Sequence, residues 1–517
     1  MKLLTAAQMQ EVDLQAIQDI GLPGVVLMEN AGRGMAEQIL ESFPALKPGP
    51  VLVLAGKGNN GGDGYVIARH LIEAGWQVTT LVLAEREAIQ GDAAVNLNVL
   101  EACGGRVLFA ADDASLEQVL AQQNSARLLV DALFGTGLTK PVSGRYAAAI
   151  RWMNHSPAAV AAVDIPSGID ASTGRILGQS VSADLTATFA FPKIGQVSYP
   201  GAGFVGELVV VDIGIPANVA SQVTDDALLV TWQVAKTLLP LRPLNGHKGT
   251  FGHLLVAAGS VGKSGAAVMT AEAALRGGCG LTTLACPAEI QPVVASRLTE
   301  VMSAPLADAD GEVSLESLPA LQSLLEEKQA LAVGPGFGLG AEASEVVRRL
   351  VADCSLPMVV DADGLTALVG HLELLTERQA PLVLTPHPGE MARLAQLPVS
   401  AIQEDRVAVA RDFAIRHGVV LVLKGARTVI ALPDGRIRIN ASGNAGMASG
   451  GMGDVLTGLI GSLLAQGLEA GRAATLAVFL HGYAADRLAE LYGDAGLLAG
   501  DLITELPAAR QALNREE

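Results

Sequence analysis

Throughout this chain, a short apolar run stops at a polar or glycine-rich segment and a helical pattern follows. In the first half the runs are Val51–Ala55, Gln77–Leu83, Leu128–Asp131, Ala159–Asp164 and Leu208–Asp212. In the second half they are His253–Ala258, Leu281–Ala285, Ala330–Val333, Met358–Asp361, Leu382–Thr385 and Val419–Leu423. Several are apolar without alternation, as strands of a parallel sheet buried on both faces must be. Helical patterns lie between them, as at Tyr65–Ala74 and Gly144–Met153, and two more near Ala6–Ile20 and Gly24–Leu40 precede the first strand. Three helical segments, beginning near Met452, Gly471 and Gly500, close the chain. Such alternation predicts α/β folding with doubly wound parallel sheets, whose ligands bind outside the carboxyl ends of the strands.

Between Val211 and Leu241 the pattern weakens into turn formers, so two α/β domains are expected, 1–220 and 221–517, dividing within 215–235. Each half has its own glycine-rich strand ends, which predicts two separate sites. The net charge of −18 would repel a phosphate polyanion, so nucleic acid is not an expected partner. A phosphate must instead be held locally, by backbone N–H groups or a few placed cations. The apolar runs Ala158–Val163 and Ala474–Leu480 end at Asp164 and His481, well short of the ~18 residues a membrane span needs. Cys103, Cys279, Cys286 and Cys354 are scattered and read as thiols in a reducing compartment. A cytoplasmic homo-oligomer without membrane partners is the expectation.

In the first half, VLVLAG runs into KGNNGGDG (Lys57–Gly64) and then a helix. A strand, a glycine-rich loop and a helix start make a ready anion site. It is not the G-x-G-x-x-G of ordinary dehydrogenases. The segments DALFGTGL (Asp131–Leu138) and DIPSGID (Asp164–Asp170) also end strands in Asp and glycine. A strand-end Asp often only caps the next turn, but three polar ends together favour a site. Oxygens of Asn60, Asp131 and Ser167 suit a hard cation.

NNGGDG, DALFGTGL and DIPSGID, in this order, resemble the YjeF-type N-terminal domain, the Rossmann-like epimerase for hydrated NADH and NADPH. The resemblance spans roughly 1–215. It implies that Asn59, Asn60, Gly61, Gly62 and Asp63, with Gly135, Thr136, Gly137, Leu138, Thr139, Lys140 and Pro141, hold the hydrated dinucleotide. It further implies K⁺ at Asn60, Asp131 and Ser167, and Asp164 in contact with the substrate. Asp164 is then the candidate catalytic group of this half.

In the second half, GSVGKS (Gly259–Ser264) invites a P-loop reading, but Ala257 stands where the first glycine is required. GPGFG (Gly334–Gly338), DADG (Asp361–Gly364), TPHPGE (Thr385–Glu390) and KGART (Lys424–Thr428) each follow a strand. The strongest signal is SGNAGMASGGMGDVLTG (Ser442–Gly458), a glycine run opening an apolar helix. Free N–H groups at that start can stabilise a transferring phosphoryl group, and Asp454 can accept a proton.

The G-x-G-D form resembles the ribokinase-like superfamily. GSVGKSGAA, GPGFG, TPHPGE, KGART and GGMGD together resemble the ADP-dependent dehydratase family for hydrated NAD(P)H, over roughly 235–510. The resemblance implies nucleotide contacts at Lys424, Gly425, Ala426, Arg427, Thr428 and Gly453. It implies substrate contacts at Gly336, His387 and Asp454, with Ala266 or its neighbour Ala267 nearby. ADP is the implied co-substrate, with room for Mg²⁺ beside it. One departure is Thr366, where the commoner form has Asn. The implied chemistry phosphorylates a ring hydroxyl, which then leaves as phosphate, and Asp454 is its catalytic base. A ribokinase-type metabolite kinase would share GGMGD but does not account for NNGGDG and DIPSGID. A non-catalytic scaffold would have no need of Asp164, His387 and Asp454.

Overall fold

The computed structural model describes residues 1–515. Its contacts separate one compact unit, Lys2–Ala227, from another that starts at Leu228. That division falls in the stretch where the sequence pattern weakens.

The first unit has seven parallel strands: β1 (Pro50–Ala55), β2 (Gln77–Val82), β3 (Arg106–Phe109), β4 (Leu128–Ala132), β5 (Ala159–Val163), β6 (Leu185–Phe189) and β7 (Glu207–Val211). Their order is β3-β2-β1-β4-β5-β6-β7. Alternate residues serve opposite layers: Val51 and Val53 join one core, and Leu52 and Leu54 the other. Both faces are thus apolar, which is why the runs lack alternation. The order reverses between β1 and β4, where a doubly wound sheet opens a crevice at its carboxyl edge.

The helix after β1 begins at Asn59, not near Tyr65 as the sequence pattern suggests. The glycines of NNGGDG (Gly61, Gly62 and Gly64) are therefore helical, and they serve close packing. A Cβ on Gly61 would lie 2.1 Å from the Gly56 carbonyl oxygen, and one on Gly64 would lie 2.7 Å from Ala132. Gly61→Ala should destabilise the first unit by at least about 1–3 kcal/mol, the usual cost of overpacking. Thermal unfolding measures it, and an unchanged midpoint would contradict the packing account.

The second unit repeats the plan. Its main sheet runs in the order β11-β10-β9-β14-β15-β16-β17-β18-β19-β8. The strands are β8 (Ala227–Val230), β9 (His253–Ala257), β10 (Leu281–Pro287), β11 (Met302–Leu306), β14 (Ala330–Val333), β15 (Met358–Val360), β16 (Leu382–Leu384), β17 (Val420–Leu423), β18 (Val429–Ala431) and β19 (Ile437–Asn440). β12 (Asp308–Ala309) and β13 (Glu312–Val313) form a separate antiparallel pair. The strands from β11 to β17 are parallel, and β18 and β19 fold back antiparallel. Here the order reverses between β9 and β14. Helix Met452–Ala465 is buried almost all round, which its apolar sequence requires. It packs on Ser264–Arg276 so closely that a Cβ on Gly458 would lie 2.1 Å from the Thr270 carbonyl oxygen. No helix among the described residues is long and apolar enough to cross a membrane.

Two candidate active sites

The first unit holds a cavity of about 910 Å³ at its strand carboxyl ends, large enough for a dinucleotide-sized ligand. Asn59, Asn60, Asp63, Gly135, Thr136, Gly137, Leu138, Thr139, Lys140 and Asp164 line it. Gly61, Gly62 and Pro141 do not. Gly61 is pressed against the Gly56 backbone and Gly62 against the Met28 sulfur. The N-terminal helices add Met9, Asp13, Leu27 and Met28 to the wall.

Asp164 stands just after β5 with φ +62°, an unusual conformation for a non-glycine residue. Three donors converge on its Oδ1: Lys193 Nζ at 2.6 Å, Thr188 Oγ1 at 3.1 Å and the Phe189 N–H at 3.2 Å. The Gln196 amide donates to its main-chain carbonyl at 2.5 Å. Lys193 is fully buried, and also donates to Thr188 Oγ1 at 2.9 Å and to the Phe189 carbonyl at 3.1 Å. Sequence reasoning missed Lys193 and Thr188. The lysine follows an apolar FP pair, and the threonine reads as the polar face of a strand. The one available signal was a lone Lys inside an apolar strand-end segment, AFPKIG.

Two further carboxyls face this ion pair. Burial pushes Asp13 up to about 6, with Asp164 adding to the rise and Lys193 opposing it. Burial raises Asp63 well above the usual carboxylate range, helped by Asp164 and Asp13.

Beside the cavity, the buried Asp131 carboxylate accepts from Ser167 N and Ser167 Oγ, both at 2.7 Å, and from Leu133 N at 3.2 Å. Burial pushes it up to about 6 despite those bonds. The Asn60 side-chain nitrogen is buried without a partner. Asn60 also lies near Gly135, whose added Cβ would sit 3.1 Å from Asn60 Oδ1.

In the second unit the predicted residues gather at the strand carboxyl ends. Lys424 Nζ lies 2.7 Å from Asp361 Oδ1 and 3.8 Å from Glu390. Burial opposes its charge, but Asp361 and Glu390 outweigh burial and raise the lysine above its ordinary value. Thr457 Oγ1 donates to the other Asp361 oxygen at 2.7 Å. A Cβ on Gly453 would approach Lys424 Nζ at 3.4 Å and Asp361 at 3.5 Å. Asp454, in the first turn of its helix, is pushed up to about 6 by burial and by Asp361, against the pull of Lys424. Gly451 caps that helix with φ +89°. The first N–H groups of a helix have no intrahelical acceptor, so those of Met452, Gly453 and Asp454 are available to an anion.

Lys424–Thr428 is the tight turn between β17 and β18, with Gly425 and Ala426 exposed and Arg427 at φ +54°. Thr428 Oγ1 closes the turn on the Gly425 carbonyl at 2.8 Å. His387 caps helix Pro388–Ala395, its Nδ1 accepting from Gly389 N at 3.0 Å and Glu390 N at 3.4 Å. That places the ring proton on Nε2. A Cβ on Gly336 would lie 3.2 Å from Ala266, so these two neighbour each other, and Ser260 Oγ holds the Gly336 carbonyl at 2.8 Å. Lys263 is occupied by Asp363 at 2.8 Å. Asp363 also accepts from Gly338 N at 3.0 Å, which ties the Gly334–Gly338 and Asp361–Gly364 loops together.

The comparisons cover both halves. The YjeF-related protein N-terminus family matches residues 24–195, and the NAD(P)H-hydrate dehydratase family matches residues 254–508. Bifunctional NAD(P)H-hydrate repair enzyme Nnr of Moorella thermoacetica is 43% identical over 100% of this chain and 98% of its own length. The protein of that name from Escherichia coli K12 is 37% identical over 95% of this chain and 90% of its own. A solved structure, the ADP/ATP-dependent NAD(P)H-hydrate dehydratase of Bacillus subtilis co-crystallised with ATP/Mg²⁺, is 32% identical. It covers 55% of this chain and 98% of that one, with a TM-score of 0.50. With both family models matched and the relatives aligned nearly end to end, the chain belongs to the bifunctional NAD(P)H-hydrate repair enzymes.

Proposed function

We propose that the second unit dehydrates the S form of hydrated NADH or NADPH at the expense of ADP, giving NAD(P)H, AMP and phosphate. The first unit interconverts the R and S forms. The observation that carries the dehydration is Asp454 beside Lys424 and Asp361, at a helix start with free N–H groups.

The hydrate carries a hydroxyl at C6 of the reduced ring, and hydroxide is a poor leaving group. Asp454 accepts the hydroxyl proton while the hydroxyl oxygen attacks the β-phosphorus of ADP, and the bond from that phosphorus to the bridging oxygen breaks to release AMP. The N–H groups of Met452 and Gly453 face the charge that develops on the phosphoryl oxygens. Lys424 to Thr428 and Gly453 hold the AMP part, and Gly336, His387 and Ala266 hold the nicotinamide side. The C6–O bond then breaks and phosphate leaves, pushed by the ring nitrogen lone pair, and loss of a proton from C5 to water restores the C5–C6 double bond of NAD(P)H. The Asp361–Lys424 pair keeps a positive charge beside Asp454. Mg²⁺ accompanies the nucleotide, as in the co-crystallisation of the Bacillus subtilis enzyme.

Incubating the purified S epimer with ADP and quantifying products tests this. One AMP and one phosphate per NADH formed is the expected result. A stable phosphorylated product would favour a metabolite kinase instead.

In the first unit the cavity takes the hydrated dinucleotide, and Asp164 exchanges protons with the C6 hydroxyl. The Asp131 carboxylate has only neutral hydrogen-bond donors, and the Asn60 amide oxygen lies beside the loop after β4, 3.1 Å from where a Cβ on Gly135 would stand. These oxygens and Ser167 fit K⁺, which would neutralise Asp131 and order the loop after β4. K⁺ in place of a bulky organic cation is expected to raise the unfolding temperature of the first unit. Ser167→Ala should reduce that difference, and equal temperatures in both salts would contradict the site. The thiols are free, with Cys279, Cys286 and Cys354 buried, which suits a reducing cytoplasm. A homo-oligomer is the assembly proposed, tested by its mass in solution.

A further inference from the structure

The cavity of the first unit contains more acid–base machinery than one aspartate. Asp63 sits in the helix that follows β1, and Asp164 follows β5, so they reach the cavity from opposite sides of β4. Asp164 has a built partner in Lys193, which gives it a short, buried ion pair. Asp63 lines the same cavity, is almost wholly buried, and its carboxyl makes no hydrogen bond or ion pair among the described residues. With no hydrogen-bond donor of its own, and with Asp164 and Asp13 outweighing the pull of Lys193, this buried carboxyl is biased toward its protonated form. One buried site thus holds a carboxyl biased toward its proton and another held in an ion pair, the kind of division acid–base catalysis uses.

We infer that Asp63 is the second catalytic carboxyl of the epimerisation, acting as the acid to the Asp164–Lys193 pair. The inference rests on the proposed epimerase activity and gives it a route. Asp63 donates its proton to the C6 hydroxyl oxygen, the C6–O bond breaks, and water departs. The ring nitrogen lone pair forms a C6–N double bond, leaving the ring positively charged. Water then adds to the opposite face of C6 and the electron pair returns to nitrogen. The added water gives its proton to Asp164. The proton transferred from Asp63 to Asp164 is returned through cavity water between turnovers, so nothing is oxidised or reduced. The charges favour this route over ring opening, which creates no ring cation. Once Asp63 has given up its proton, Asp13, Asp63 and Asp164 line the cavity against one buried lysine, a field that stabilises positive charge. The other cations lining the cavity lie apart from this cluster. Lys57 and Lys140 are exposed, and Arg145 is tied to the Leu83 and Ala111 carbonyls.

The test uses the full chain and the separated epimers of hydrated NADH, with spontaneous interconversion subtracted. Asp63→Asn should lower kcat of epimerisation by about a hundred-fold or more while KM changes only a few-fold. Asp63→Glu, which keeps a carboxyl, should recover part of the rate. In ¹⁸O-labelled water the wild-type protein should place one labelled oxygen in each converted molecule. That reading is independent of whether any variant folds. Asp63→Asn within tenfold of wild type would overturn the acid role. Conversion without label would overturn the C6–O route. A wild-type protein that does not interconvert the epimers would instead sink the epimerase reading on which both stand.

Discussion

Asp454→Asn is expected to lower ADP-dependent dehydration by about a hundred- to ten-thousand-fold, with ADP affinity within a few-fold of wild type. The substitution preserves size and a polar contact but removes the ability to accept a proton. The N–H groups at the helix start, the 424–428 turn and Gly453 remain, so the nucleotide should still bind. The wild-type pH dependence should follow the same group. Asp454 must be ionised to act as base, and its carboxyl is pushed up to about 6 by burial and by Asp361. The kcat should therefore be flat above that pH and fall about tenfold per unit below it. Full activity in Asp454→Asn with normal ADP binding would remove Asp454 from the chemistry.

The second large effect belongs to Asp164. Asp164→Asn should abolish epimerisation, by about a hundred-fold or more, and leave dehydration of the S epimer intact. It also strands the buried Lys193, and breaking one side of a buried pair typically costs about 3–5 kcal/mol. Stability and catalysis must therefore be separated. Combining Asp164→Asn with Lys193→Met removes both charges and should restore much of the unfolding temperature without restoring epimerisation. If the double variant regained epimerisation, the loss in the single variant would be structural. Were dehydration lost as well, the two activities would not be independent.

The parts of the fold that read clearly from sequence were those whose burial leaves a pattern. Strands such as Ala330–Val333 and Ala159–Val163 are apolar on both faces and stop at polar loops. The closing helices start within a residue of where the pattern begins: Met452, Ala470 and Ala499. β3 was missed because it is a short, half-buried strand at the sheet edge. β6 was missed because Thr186 and Thr188, fully buried, look like a solvent face. Thr186 is satisfied by the Val205 carbonyl at 2.7 Å and Thr188 by the Asp164–Lys193 pair, partners that only the folded chain supplies.

The candidate sites divide along the same line. Residues at strand ends and at the helix starts that follow them, including Asn60, Asp131, Asp361, Lys424 and Asp454, stand out because glycines lie close by in the sequence. Lys193 and Asp13 lie in segments with no glycine signature, and Asp13 sits on a helix that precedes the sheet altogether. Their part in the site depends on packing against strand ends distant in sequence. The extent of the 59–64 loop was misread for a related reason. Glycine marks either a turn or a close contact, and here helical packing requires it.

The central claim is that one chain repairs both epimers of a hydrated nicotinamide dinucleotide. The measurement that tests it most directly is recovery of the reduced-nicotinamide absorbance from a mixed R and S preparation of hydrated NADH, with and without ADP. Full recovery from both epimers, dependent on ADP and faster than spontaneous epimerisation allows, is the predicted result. Recovery that stops when the S form is exhausted would contradict the epimerase half. No recovery with either ADP or ATP would contradict the whole account.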